Sequence, residues 1–446
     1  MPLMNADALE DVVKMARSAG ADAAEAAYAE RQSLSVGVRL GALEEVEREE
    51  SRDLGVRVFV GRRQAVVSGS DVSSDGRRRL VERAVAMARL APEDPYAGLA
   101  PEDRLARGSS LELDLLDPGE PNAETLEERA QAAEDAARAT PGVSTSESSS
   151  ASWSRGAWRL VTSGGFAGEH RASSFSIAVS VIAGGGPSME RGDEWRQTRH
   201  QSDLPAPEAI GSEAGRRAVA RLGPRKIASM TGPVIFENRI AASTLGPLLN
   251  AISGPSVARG VSFLKDRLGQ QLFSKAVTVV DEPHRPRGLG SSPFDDEGVV
   301  NETRALIDGG VLTTWLLNSA SARQLGMETT GHASRGLAGP PGVAVSNLTL
   351  RPGEKDREAL MRDAGAGLLV TSLFGPSLNP NTGDWSVGCS GFWFEGGEIA
   401  YPVAEITVAG NLIDAYGRLI PGSDLEFRGS ANAPSLMIDA LAIAGK

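Results

Sequence analysis

At 446 residues the chain is too long for one compact core, and two or three domains are expected. Hydrophobic residues at 41% and charged residues at 23% are those of a soluble globular protein, and a net charge of −12 argues against broad binding to nucleic acid or to an anionic membrane. The basic clusters Arg77–Arg79 and Arg216–Arg217 fall on predicted helices, where such runs are solvated faces.

Asn5 or Asp7 is expected to cap a helix that runs to about Ala19, with Leu9, Val12, Val13 and Ala16 on one face and Gly20 as its stop. The first twenty residues lack a basic segment followed by an apolar core, and no run approaches the ~18 apolar residues of a membrane span. Cys389 is the only cysteine, so no intrachain disulfide can form; the expected location is the cytoplasm. Ser33–Leu40, Leu54–Val60 and Gln64–Ser68 alternate as antiparallel strands, and a helix over about 74–90 turns Leu80, Ala84, Val85 and Ala88 inward. Residues 93–121, rich in Pro, Gly and acids, read as a linker or irregular excursion. A helix over about 122–138 follows, then strands at Val143–Trp153, Ala157–Ser163, Ala172–Ile182 and about 190–200, then a helix over about 207–222. Helix, strands, helix thus occurs twice, in 1–92 and 122–225, which suggests a duplicated α+β unit.

The texture changes in 230–446. Pro233–Phe236 is a short apolar strand, and one helix is expected from about Arg239 to Ile252 with Ile240, Leu245, Leu248, Leu249 and Ile252 as its apolar side. Val277–Val280, Val299–Asn301, Ala305–Asp308, Val311–Leu317, Ala344–Leu350, Gly367–Leu373, Gly391–Glu395, Glu398–Val403 and Ala404–Ala409 are candidate strands between Gly- and Pro-rich turns. The fold class expected is α+β: an N-terminal α/β region followed by a mainly-β sandwich or barrel-like domain.

No residue type is arranged for metal chemistry. The four histidines, His170, His200, His284 and His332, are followed by Arg171, Gln201, Arg285 and Ala333, and no two share a helical face. A catalytic zinc needs about three protein ligands and an open position. Cys389 lies between glycines in Gly388-Cys389-Ser390-Gly391; a nucleophilic role needs a nearby base and a lowered pKa, and the residues nominate none, so a small packed strand residue is the favoured reading. The acids at 281–282 and 295–297 lack calcium-loop spacing, and Gly184–Gly186 lacks the lysine and helix of a phosphate loop.

Several blocks in order carry a resemblance. Asp295-Asp296-Glu297-Gly298, then Leu306-Ile307-Asp308-Gly309-Gly310-Val311-Leu312, then Thr329-Thr330-Gly331, then the stretch from Gly383 to Leu412 resemble blocks of the TldD/PmbA (TldD/TldE) family. One subunit type of that family carries an HExxxH zinc motif; this chain is similar to the other, the TldE (PmbA) type. The resemblance places the lost motif at about 245–250, where Leu245, Leu248, Leu249 and Asn250 offer no imidazole, and a late cysteine ligand at Arg428-Gly429-Ser430, which has no sulfur. It implies a chain without cofactor of its own, inactive alone, that completes a peptide chamber around the zinc of a TldD-type catalytic subunit and admits unfolded peptides. Gly383, Asp384, Ser386, Cys389, Thr330 and Gly331 are the implied peptide- or partner-facing residues. The family also implies a link to DNA gyrase, which the acidic charge makes indirect. Two alternatives stay open: a stand-alone homodimeric scaffold, and a separate hydrolase using Cys389.

Overall fold

The computed structural model describes residues 4, 6–107 and 111–445, so Asn5, one of the two expected caps, lies outside the described residues. Helix α1 (Ala6–Ser18) buries Leu9, Val12, Val13 and Ala16. Strands β1 (Ala23–Arg39), β2 (Ala42–Val60) and β3 (Arg63–Gly69) and helix α2 (Ser74–Leu90) complete the first unit. Helix α3 (Ala123–Arg138), strands β4 (Val143–Thr162), β5 (Ala167–Ala183) and β6 (Glu190–Thr198), and helix α4 (Pro207–Ala220) form the second with the same element order.

The two units do not stand apart. β1 pairs antiparallel with β4 from Glu25↔Thr162 to Val38↔Ser149, so the six strands make one sheet in the order β3-β2-β1-β4-β5-β6. Its strands exceed expectation. β4 runs unbroken through Ser154-Arg155-Gly156 because β1 and β5 both pair with it there. β2 starts at Ala42 although residues 42–50 are exposed throughout, which erases the alternation that marks a half-buried strand. One face of β1 turns Ala24, Ala26 and Tyr28 into the cluster under α1 and α2, and Leu34, Val36 and Val38 into the cluster under α3 and α4. Residues 91–121 are pinned where described: Arg323 donates to the carbonyls of Tyr96, Gly98 and Leu99, and Leu113 and Leu115 are buried.

Helices α3 and α4 meet backbone to backbone. A Cβ on Gly211 would overlap the Ala133 carbonyl oxygen, and one on Gly215 would overlap Thr140. Gly211→Val is therefore expected to force the helices apart at a cost of about 2–3 kcal/mol. The check is a urea melt against Gly185→Ala, where an added Cβ meets open space at a φ of −155° and the midpoint should not move.

The second half closes a barrel. Strand β7 (Met230–Phe236) leads into α5 (Asn238–Ala241), α6 (Gly246–Ala251) and α7 (Gly254–Ala258). Strands β8 (Val279–Asp281), β9 (Arg304–Asp308) and β10 (Val311–Leu312), helix α8 (Ser319–Leu325), and strands β11 (Ala333–Ser334), β12 (Gly342–Val343) and β13 (Leu348–Leu350) form the middle. Helix α9 (Arg357–Ala364), strands β14 (Ala366–Leu378), β15 (Asp384–Glu395) and β16 (Glu398–Asn411), helix α10 (Leu412–Gly417), and strands β17 (Leu419–Pro421), β18 (Ala431–Asn432) and β19 (Leu436–Ala444) end the chain. Neighbour pairing runs β16-β15-β14-β7-β19, and β19 pairs back to β16, so these five strands form a closed barrel rather than a sandwich. Val234, Phe236, Leu368, Val370, Val387, Cys389 and Val408 fill it.

Several boundaries differ from the sequence reading. The expected helix Arg239–Ile252 breaks into α5, a 3-10 turn over Ala242–Leu245, and α6. Pro247 sits in the first turn of α6, where its missing N–H is tolerated; inside a continuous helix it would remove a hydrogen bond and clash with the preceding turn. The two expected strands over 398–409 are one strand, β16, irregular at Glu405 with φ of 57°. Val299–Asn301 is no strand: Val299 makes a single bridge to Leu105, and its N–H is held by Asp295 Oδ1 at 2.9 Å. Only Val311–Leu312 of Val311–Leu317 and Leu348–Leu350 of Ala344–Leu350 pair as strands. Among the described residues no helix is long and apolar enough to cross a membrane.

The sheet face opposite the helices packs on this second half through buried charge. Glu25 and Arg57 are paired positions on β1 and β2, and Arg57 Nη1 donates to Glu25 Oε1 at 3.0 Å. Arg335 donates to the same carboxylate, and Glu297 lies 4.0 Å from Arg57. Burial works against the charge on Glu25, but Arg335 and Arg57 outweigh it and hold the carboxyl below its ordinary value. Glu297 has one more distant guanidinium, and burial pushes its carboxyl up.

Candidate functional site: a cleft at the interrupted helix

The break at Pro247 opens a cleft of about 650 Å³ between the α5–α6 segment and the barrel. Ile240, Ser243, Thr244, Gly246, Pro247 and Asn250 form one wall. Ser372, Leu373, Pro376 and Leu378 of β14, with Trp385 and Val387 of β15, form the other; Asp193 and Arg239 stand at one end. β7 pairs with β14 only over Leu368–Val370, so the cleft-lining part of β14 has β15 as its only strand partner among the described residues. The strand bulges between Phe374 and Ser377, where Gly375 takes a φ of +58°.

Its chemistry is that of binding. Ser243 and Thr244 donate their hydroxyls to the carbonyls of Ile240 and Ala241, each at 2.6 Å. Asp193 Oδ2 accepts from Arg239 Nη1 at 2.9 Å. Burial disfavours the charged form of Asp193, yet Arg239 outweighs it and holds the carboxyl below the usual range, so it is a weak base. Of the positions where the resemblance places the zinc motif of the other subunit type, Leu245 and Leu248 are core, Leu249 packs against that core, and only Asn250 lines the cleft. An amide, two hydroxyls engaged with backbone and a carboxylate engaged with arginine do not fit zinc. Among the described residues no group of three or more His, Cys, Asp or Glu is placed to hold a metal ion. The four histidines are dispersed: His200 contacts the Asp114 carbonyl, His284 the Asn301 amide, His332 Thr330, and His170 lies against the Phe294 ring.

None of the implied peptide- or partner-facing residues lines this cleft. Gly383 closes the β14–β15 turn with φ of +81° and donates to the Asn379 carbonyl at 2.9 Å. Asp384 is exposed; bonds from Asn411 at 3.0 Å and Thr382 at 2.7 Å hold its carboxyl below the usual range. Ser386 lies on the opposite face of β15 from Trp385 and Val387, as strand alternation requires. Thr330 is buried, accepts from Leu317 N at 2.8 Å, and neighbours Gly331, where a Cβ would overlap the Val300 carbonyl. Arg428 and Gly429, at the expected place of the late cysteine, donate their N–H groups to Asn432 Oδ1. The cleft residues missed, Trp385, Val387 and 372–378, are marked only by alternation along two strands; which face is lined depends on barrel closure.

Cys389 shares the inner face of β15 and is fully buried; burial pushes its thiol up to about 12. The group is therefore a neutral thiol at neutral pH, and a thiol reagent is expected to label it only after unfolding. Rapid labelling of the native protein near neutral pH would contradict this.

Three family models match the chain: PmbA/TldA metallopeptidase domain 1 over residues 24–88, the central domain over 116–222 and the C-terminal domain over 229–445. The chain is 37% identical to the metalloprotease PmbA of Escherichia coli O157:H7, covering 98% of this chain and 96% of that one. It is 35% identical to the metalloprotease PmbA homolog of Haemophilus influenzae, with coverage of 98% and 95%. Among solved structures, a candidate DNA gyrase modulator from Bacteroides thetaiotaomicron superposes with a TM-score of 0.92 at 24% identity over 100% of both chains. TldE from Thermococcus kodakarensis superposes with a TM-score of 0.87 at 20% identity, covering 98% of this chain and 100% of that one. With three matched domains and a relative similar over nearly its whole length, the chain belongs to the TldD/PmbA family, on its PmbA (TldE) side.

Proposed function

We propose that this chain is the non-catalytic subunit of a two-subunit metallopeptidase and that its cleft holds an extended, unfolded peptide. The observation that carries the reading is the cleft itself: the space at the interrupted helix is open, with a strand on its wall that has a single strand partner among the described residues, and no histidine or cysteine lines it. A peptide added along β14 would satisfy backbone groups in a sequence-tolerant way, and Leu373, Leu378 and Trp385 would receive alternate side chains. A TldD-type partner with an intact His-Glu-x-x-x-His motif supplies the zinc and the proton-transfer glutamate in this reading. The chain then acts in peptide maturation or small-protein turnover in the cytoplasm, without direct contact to nucleic acid.

The test is cleavage of an unfolded model protein by this chain alone and mixed with its TldD-type partner, with and without a chelator. Cleavage only in the mixture, abolished by chelator, is the expected result. Chelator-sensitive cleavage by the chain alone overturns the proposal, and absence of cleavage in the mixture transfers the assignment to a homodimeric scaffold.

A further inference from the structure

The two helix pairs leave a strip of the six-stranded sheet uncovered. On the helix-bearing face, β1 gives Ala24, Ala26 and Tyr28 to the cluster under α1 and α2, and Leu34, Val36 and Val38 to the cluster under α3 and α4. Glu30 and Gln32 fall between, on the same face by strand alternation. A cavity of about 490 Å³ lies over them, with Leu116, Asp117 and Pro118 as one wall.

Three arginines line it: Arg52 of β2, Arg155 of β4 and Arg171 of β5. Strand register fixes their placement. Arg52 pairs with Glu30, Glu30 with Ala157 and Ala157 with Arg171, so these residues form one row across four strands. The row covers three strand spacings, about 14 Å between its outer Cα atoms. Arg155 stands two residues along β4 from Ala157, which makes it a diagonal neighbour of Arg171 at ~7–8 Å. Ala157, which also lines the cavity, carries only a methyl group between the long side chains.

The donors are accessible and only partly used. Among the described residues Arg171 makes no hydrogen bond, and its ion pair with Glu169 spans 3.8 Å. Arg155 donates through Nε to Gln32 Oε1 at 2.7 Å and lies 3.2 Å from Glu120. The Arg155 and Arg171 side chains are 44% and 46% exposed; ion pairs so exposed contribute only about 0–1 kcal/mol and give way to a bound anion. Arg52 Nε lies 3.8 Å from Glu30. The two acids of the lining already have donors: Glu30 accepts from the Tyr28 hydroxyl at 3.1 Å, and Asp117 from Gly119 N at 2.7 Å and Gln201 N at 2.9 Å.

A guanidinium group matches a phosphoryl group with paired N–H donors. We infer that this gap between the helix pairs binds a diphosphate, either the free inorganic anion or the diphosphate of a nucleotide. One phosphoryl group accepts from the neighbours Arg155 and Arg171, and the other accepts from Arg52 on the far side of Ala157. This inference goes beyond the chamber proposal and does not rest on it.

Calorimetric titration of the full chain at low ionic strength tests it with pyrophosphate, adenosine diphosphate and orthophosphate. Pyrophosphate should bind at least about tenfold more tightly than orthophosphate, the equivalent of ~1.4 kcal/mol. Arg155→Gln and Arg171→Gln, checked for unchanged unfolding midpoints, should each weaken pyrophosphate at least about tenfold. Arg267→Gln, at an exposed arginine of the second half, should leave binding unchanged. Adenosine diphosphate binding more tightly than pyrophosphate supports the inference with a nucleotide as ligand; equal or weaker binding supports it with the free anion. Failure of pyrophosphate to bind overturns the inference, as do equal affinities for pyrophosphate and orthophosphate and unaltered binding by both folded variants. A matching loss in Arg267→Gln overturns it too, because it would mark diffuse attraction to positive charge.

Discussion

Arg57→Met should lower the stability of this protein by about 3 kcal/mol, a large part of the ~5–15 kcal/mol that separates folded from unfolded chains. Arg57 is 1% exposed and joins β2 to two carboxylates, Glu25 on the neighbouring strand and Glu297 from the second half of the chain. Its Nε and Nη2 also hold Gln64 Oε1 at 2.9 and 2.8 Å. Methionine keeps much of the packing volume and removes the charge, leaving Glu25 to Arg335 alone and Glu297 without its guanidinium. The pH dependence has two signs. Glu25 sits below its ordinary value, so its contribution is present above the usual glutamate range and is lost as pH falls through its folded value. Glu297 sits above its ordinary value, so its ionisation disfavours the folded state, and protonation relieves this as pH falls through the raised value. The deficit of Arg57→Met should therefore shrink between about pH 8 and about pH 5. Urea melts at both pH values decide it; an unchanged midpoint at the higher pH would show that the cluster does not clamp the two halves.

Filling the cleft with Gly246→Trp should cut peptide cleavage by the mixed subunits at least about tenfold, the effect of ~1.4 kcal/mol of lost binding. Gly246 has ordinary helical dihedrals, φ −52° and ψ −47°, and a Cβ placed there meets nothing within 4 Å. Gly246 lines the cleft, so the indole is expected to occupy it, and replacing glycine in a helix favours the folded state slightly. Stability should stay within about 0.5 kcal/mol. Assembly with the partner, followed by size-exclusion chromatography, should be unchanged. Undiminished cleavage by the assembled variant would show that peptide does not pass along this wall.

Helices with a strong apolar stripe were legible from sequence because a helix writes its periodicity locally: α2 and α3 lie within a residue or so of the expected spans, each with a side-chain cap at Ser73 or Asn122. Long strands were less legible. β2 is exposed along its first half and leaves no alternation to read, while β4 is polar where it crosses from one hydrophobic cluster to the other. The site divides in the same way. That the helix around Asn250 brings no imidazole or thiolate is a property of composition, which folding cannot alter. That Trp385 and Val387 rather than Ser386 line the cleft follows from barrel closure, through β19 pairing back to β16. The clamp of Glu25, Arg57, Glu297 and Arg335 joins residues up to 310 positions apart. The sequence by itself determined family, fold class and the lack of histidine and cysteine in residues 245–250, because these rest on residue identity and local pattern. Only the tertiary structure decided which strand faces meet and which charges pair, because contacts between distant segments leave no local period in the chain.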